Sequence, residues 1–116
     1  MLAIERDWRM RRLIRANLEP LGFRVQEAVS EQHGLQRIRE ARPDLILLSL
    51  ELPDEDALRL LRTLRSQIQG TTVPVVVISA EPPSRQLLQE GDVAGYLLIP
   101  FAVPALLKQI KAALDA

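Results

Sequence analysis

The sequence predicts an α/β domain built on a doubly wound parallel sheet, with helices on both faces. Three observations lead there. Short apolar runs alternate with helical periodicities from end to end, giving five βα units. The run Leu45-Ile46-Leu47-Leu48 is apolar at every position, as a strand covered on both faces must be. At 116 residues the chain has the length of one domain, able to bury about two-thirds of its unfolded surface, and residues 1–116 are read as a single unit.

Leu2-Ala3-Ile4 is a short first strand. Met10, Leu13, Ile14, Leu18 and Leu21 then recur at helical spacing, and Gly22 supplies the stop. Phe23 to Glu27 alternates apolar and polar residues and reads as the second strand. Ser30 is an N-cap for a helix through Leu35 and Ile38 that ends before Pro43. Leu45 to Leu48 is the third strand. Ala57, Leu61, Leu64 and Ile68 mark the third helix, closed by Gly70. Val73 to Ile78 is rich in β-branched residues and forms the fourth strand. Pro82 and Pro83 introduce a short helix through Leu87 and Leu88, capped near Gly91. Tyr96 to Ile99 is the fifth strand. Val103, Leu106, Leu107, Ile110 and Leu114 give the last helix its stripe, with Pro104 suited to the first turn. Doubly wound (βα)5 sheets of the flavodoxin-like kind take the strand order 2-1-3-4-5.

Composition narrows the function. No apolar run approaches the ~20 residues of a membrane span, and residues 1–12 contain no signal-peptide core. Cysteine is absent, which removes disulfides and thiolate metal sites and fits a cytoplasmic location. Net formal charge is +0 and aromatics make up 3% of the chain, so neither a basic face nor stacking rings for nucleic acid are expected. Arg6, Arg9, Arg11, Arg12 and Arg15 crowd the first helix region and read as a solvated amphipathic face.

Open parallel sheets place their sites at the carboxyl ends of the strands. That rule directs attention to Glu5, Arg6, Ser49, Ser79 and Ile99. The segments Met10-Arg11-Arg12, Leu18-Glu19-Pro20-Leu21-Gly22-Phe23, Pro43 to Leu48, Leu50-Glu51-Leu52-Pro53 with Asp56, Pro74 to Ala80, and Gly95-Tyr96 followed by Pro100-Phe101 stand in one consistent order. Together they resemble the receiver domain of bacterial response regulators, the CheY-like family, over nearly the whole chain.

The resemblance implies a role for each position, and several residues depart from it. The family's acid pair, which holds magnesium, falls on Glu5 and Arg6. Its phosphoacceptor aspartate falls on Ser49, and its lysine falls on Ile99. Its switch residues are present as Ser79 and Tyr96. Phosphoryl transfer to a carboxylate needs a carboxylate nucleophile, magnesium and a cation for the product. An arginine held in the site opposes a divalent ion, since unit charges ~4 Å apart interact by about 4 kcal/mol at an effective dielectric of 20. No magnesium or other cofactor is therefore expected. Arg6 is expected to pair with Glu5 or Glu51 and stand in for the ion.

Ser49 needs a neighbouring base to act as a nucleophile. The one histidine, His33, is expected to lie away from the strand ends, so no catalytic residue is assigned and the chain is read as a non-enzyme. Trp8 either covers the crevice or begins the first helix. The resemblance also implies a cis Ile99–Pro100 bond.

These readings converge on an atypical receiver, or pseudo-receiver, of a two-component system. It is expected to act by protein contact without aspartate phosphorylation, through the face of the fourth helix, fifth strand and fifth helix, as a monomer or weak homodimer. Two alternatives stand beside it. One is the receiver segment of a longer DNA-binding transcription regulator. The other is a small-ligand sensor using the vacated crevice.

Overall fold

The computed structural model describes residues 1–51, 54–68 and 73–115. Its strands are β1 (Leu2–Ile4), β2 (Gln26–Ala28), β3 (Ile46–Ser49), β4 (Val75–Ser79) and β5 (Gly95–Leu98). Its helices are α1 (Trp8–Leu18), α2 (Glu31–Glu40), α3 (Asp54–Gln67), α4 (Arg85–Glu90) and α5 (Val103–Asp115). All strand pairs are parallel, in the order β2-β1-β3-β4-β5. The fold class and strand order match the sequence reading.

Side-chain alternation along the strands separates two cores. Leu2, Ile4, Ile46, Leu48, Val75 and Val77 face one side and pack with Ile38, Leu61, Leu64 and Leu87 from α2, α3 and α4. Ala3, Leu47, Val76, Ile78 and Leu97 face the other side, against Ile14 and Leu18 of α1 and Leu106 and Ile110 of α5. Gly34 in α2 lets that helix approach β1 closely, because a Cβ there would stand 2.5 Å from Ile4 Cδ1.

Strand β1 has the limits read from the sequence, and those of the other four strands differ by one to three residues, for local reasons. Phe23 N–H still returns to Leu18 O at 3.3 Å, so the chain is closing off α1 there, and the β2 ladder begins only when Gln26 N–H donates to Met1 O at 2.9 Å. At β4, Pro74 has no N–H to give to a ladder, and the strand starts at Val75. Strand β3 runs one residue further than expected, to Ser49, and β5 starts at Gly95 and stops at Leu98.

Helix α1 ends at Leu18, and Leu21 belongs to a following 3-10 turn, Glu19–Leu21, carrying Pro20. Gly22 closes it with φ 95, a left-handed conformation that favours glycine. The Ser30 cap is confirmed, its Oγ accepting His33 N–H at 3.1 Å. Gly70, Leu52 and Pro53 lie outside the described residues.

The arginine cluster divides. Arg9 and Arg12 are exposed, as a solvated face requires. Arg11 and Arg15 instead turn toward β2 and share Glu27, at 4.0 and 3.6 Å, with Arg15 also reaching Val25 O at 2.5 Å. Long side chains on the first helix thus serve as clasps to the edge strand. Among the described residues, no helix is long and apolar enough to cross a membrane.

Leu48 and Leu98 both lie near strand ends, but Leu48 is 0% exposed and Leu98 is 45% exposed. Leu48→Ala is expected to cost about 2–5 kcal/mol of stability. Leu98→Ala is expected to change stability by no more than about 0.5 kcal/mol. Urea unfolding of both variants checks this, and equal losses would contradict the described packing.

Candidate functional site

Strand register assembles the site. Ile4 pairs with Leu48, Ser49 with Ile78, and Ser79 with Leu98. The residues that leave these strands at their carboxyl ends therefore come out side by side. Glu5 and Ser49, which are 44 positions apart in sequence, meet through a hydrogen bond in which Ser49 Oγ donates to Glu5 Oε1 at 2.5 Å. Asp7 N–H donates to the other carboxylate oxygen, Oε2, at 3.2 Å. Glu5 is 6% exposed, so these donors satisfy a carboxylate that is largely out of water.

Arg6 goes elsewhere. Its guanidinium pairs with Glu31 Oε2 at 3.4 Å, and its side chain is 66% exposed. The expected pairing with Glu5 or Glu51 is thus corrected. Glu5 points into the crevice and Arg6, the next residue, turns outward toward the first turn of α2. The backbone of this turn is fixed from α1, because Arg11 Nη1 donates to Glu5 O at 2.8 Å and to Arg6 O at 2.9 Å. Asp7 then caps α1, its carboxylate accepting Arg9 N–H at 2.9 Å. Trp8 begins the helix and is 56% exposed, with the Arg9 guanidinium 5.6 Å from its ring centroid. It lines neither cavity described below.

His33 sits in the first turn of α2, at the same edge as the strand ends and not away from it, because α2 begins where β2 finishes. Its Nδ1 accepts Val29 N–H at 3.2 Å. Ser49 Oγ is committed to Glu5 and not to an imidazole, which leaves no Ser–His pair of the kind that activates a serine.

The other half of the site is built around Glu81, which the sequence reading did not single out. Ser79 is buried, and its Oγ accepts Glu81 N–H at 3.1 Å. Tyr96 Oη donates to Glu81 O at 2.9 Å. One peptide segment after β4 therefore holds both residues matched to the family's switch positions. Ile99 follows β5, donates its N–H to Ser79 O at 2.8 Å, and precedes a cis bond to Pro100.

Two cavities open along this edge and share Glu5, Ser49 and Glu51. The smaller, about 90 Å³, lies toward Arg6, Ser30 and Glu31. The larger, about 510 Å³, runs toward Ser79, Leu87, Tyr96 and Ile99. A magnesium ion takes hard oxygen ligands in near-octahedral geometry, usually including one or two carboxylates. Glu5 is already engaged by two donors, Arg6 is a cation turned to Glu31, and Ser49 contributes a neutral hydroxyl. Among the described residues, no three His, Cys, Asp or Glu side chains are grouped to hold a metal ion. Among the described residues, the donor set does not fit a magnesium centre.

Comparison with known proteins places these features in context. Residues 1–111 match the family described as the response regulator receiver domain. The KDP operon transcriptional regulatory protein KdpE of Escherichia coli is 37% identical over 116 residues, covering 98% of this chain and 50% of its own length. The DNA-binding dual master transcriptional regulator RpaA of Synechocystis is 32% identical, covering 98% of this chain and 48% of its own. The chain thus spans about half the length of these curated relatives. Among solved structures, a response regulator from Thermotoga maritima superposes with a TM-score of 0.86 at 24% identity, over 99% of this chain and 96% of that one. The receiver domain of a sensor histidine kinase from Pseudomonas aeruginosa, solved with a magnesium ion in its active-site cleft, gives 0.81 at 26% identity, over 99% and 96%.

Removing the Ser49 hydroxyl leaves the buried Glu5 carboxylate short of a donor. Ser49→Ala is expected to destabilise the fold by about 1–3 kcal/mol. In a double-mutant cycle with Glu5→Gln the pair is expected to show a coupling of about 0.5–3 kcal/mol by urea unfolding. Additive losses would mean that the two side chains do not interact.

Proposed function

The chain belongs to the response regulator receiver domain family, and on that premise we propose that it is a phosphorylation-independent receiver acting by protein contact. The observation that carries this reading is the hydrogen bond from Ser49 to Glu5. At the strand end where the family resemblance puts a phosphoacceptor carboxylate, a neutral hydroxyl closes onto the acid that would otherwise help hold magnesium. An alcohol there forms no acyl phosphate, and Ile99 offers no cation to a phosphoryl group. Magnesium is expected to bind negligibly, because Glu5 is the one acid of the former pair and is already satisfied.

The contact surface in this proposal is the face of α4, β5 and α5. Leu88 is 53% exposed and Leu98 45% exposed, with Lys108 and Lys111 exposed beside them. Tyr96 stands at the edge of this face, tied to Glu81 O by its hydroxyl. With no phosphoryl group to draw Ser79 across, the tie favours one fixed arrangement over a switch between two.

The length of the relatives favours a second reading of the same domain. KdpE and RpaA are transcriptional regulators about twice the length of this chain, which matches one half of each. The domain would then serve as the receiver segment of a longer DNA-binding regulator, with its contact face directed at an output domain.

Treatment with acetyl phosphate and magnesium is expected to leave the intact mass unchanged, and Ser49→Asp alone is expected to gain no adduct, since Ile99 and Arg6 remain. A stoichiometric phosphoryl adduct on the wild-type protein sinks the proposal. Titration calorimetry is likewise expected to show no saturable heat from magnesium.

The face assignment has its own check. Lys111→Glu is expected to weaken capture of partner protein by the intact protein, while Arg12→Glu on α1 leaves it unchanged. The reverse pattern would put the interface on the α1 side.

A further inference from the structure

The larger cavity has a chemical character of its own. Its walls include Leu50, Ile78, Leu87 and Ile99, and its volume of about 510 Å³ falls in the range of small-molecule sites. Among the described residues, three carboxylates line it, Glu5, Glu51 and Glu81, and no Lys, Arg or His does.

Neither Arg6 nor the residue that follows β5 puts a cation on its wall. Arg6 is turned out to Glu31, and the fifth strand leads into Ile99, an alkyl side chain on the cavity wall. Glu5 is 6% exposed, and the contacts at its carboxylate are a hydroxyl and an amide, with no cation. A carboxylate held in a dry wall without a counter-charge attracts a cation more strongly than one in water. The described donor set does not fit a magnesium ion, as set out above. What suits the remaining combination is a cation that carries its own apolar body, so that the head meets Glu5 and Glu51 and the body covers Leu50, Ile78, Leu87 and Ile99.

We propose that this crevice is a binding site for a small organic ammonium ion, a primary amine on an apolar or aromatic body. The inference concerns the same crevice as the proposed function and rests on that reading to the extent that no divalent ion occupies its carboxylates. A ligand seated there touches Ser79, Tyr96 and the segment carrying Glu81, which hold one another by hydrogen bonds. Binding would therefore stabilise the arrangement of β4, β5 and the start of α4, the region the contact face is built on.

The test uses the whole chain and three probes: phenethylammonium chloride, its charge-reversed counterpart sodium phenylacetate, and magnesium chloride. Phenethylammonium is expected to raise the melting temperature saturably in the millimolar range and to give a matching calorimetric isotherm, while phenylacetate gives neither. Glu51→Gln, at an exposed position where folding is not at stake, is expected to weaken binding about tenfold, which corresponds to about 1.4 kcal/mol. Ile99→Lys supplies a tethered ammonium and is expected to abolish binding. No saturable response to phenethylammonium, or an equal response to phenylacetate, overturns the inference and leaves the phosphorylation-independent reading standing. Binding of phenethylammonium that survives both substitutions also overturns it, by placing the amine elsewhere. Saturable magnesium binding that excludes the amine overturns this inference and the metal-free reading of the crevice together.

Discussion

The constraint on which the rest depends is the parallel register of β1 on β3. Ile4 opposite Leu48 fixes the next residues, Glu5 and Ser49, as neighbours at the sheet's carboxyl edge. A one-residue slip would send every side chain of the short strand β1 to the opposite face, driving Leu2 and Ile4 into the core that fits Ala3 and leaving Ala3 in the space that they fill. Strand β1 is only three residues long, yet all three are buried, so packing on both faces holds the register far better than length would suggest. The Ser49–Glu5 hydrogen bond is a consequence of that register. Arg11 adds a second lock by donating to the carbonyls of Glu5 and Arg6 from the first helix.

Much of this was legible in the sequence because the physics behind it is local or periodic. The five strands and five helices follow from apolar periodicity and from Gly and Pro at the boundaries. The caps at Ser30 and Gly22 follow from their side chains and conformational freedom. Three things were not legible. The limits of β2 depend on how α1 ends, since Phe23 returns its N–H to Leu18. The direction taken by Arg6 depends on Glu31, a residue 25 positions away on another element. The role of Glu81 is carried by its backbone N–H and C=O, which every residue possesses. Side-chain type predicts a site only where side chains build it.

The Arg6 result changes the reason for the metal-free reading without removing it. An arginine held in the site would exclude a divalent ion by repulsion. In the structure the guanidinium is mostly solvent-exposed, and an exposed pair with Glu31 contributes little. The case now rests on the acids themselves. On the proposed reading Glu5 is the remaining member of the pair, and it is already bonded to the Ser49 hydroxyl. Loss of one acid and capture of another by a neutral donor act on the same ion, so the two substitutions reinforce each other.

The substitution at Ile99 completes this logic from the other side of the crevice. In the family's arrangement, positive and negative groups balance across the site. Here Glu5, Glu51 and Glu81 line the larger cavity together with Ile99, an alkyl side chain at the position that the proposed reading matches to the family's lysine. Such an imbalance costs stability if the carboxylates are fully desolvated, which is why Glu51 and Glu81 remain exposed to water and only Glu5 is buried. The buried one is also the one given two hydrogen-bond donors. The crevice thus keeps its charge by leaving two acids wet and satisfying the third internally. A cation seated as proposed would meet Glu51 and Glu5, displacing water from the first and leaving the hydrogen bonds of the second in place.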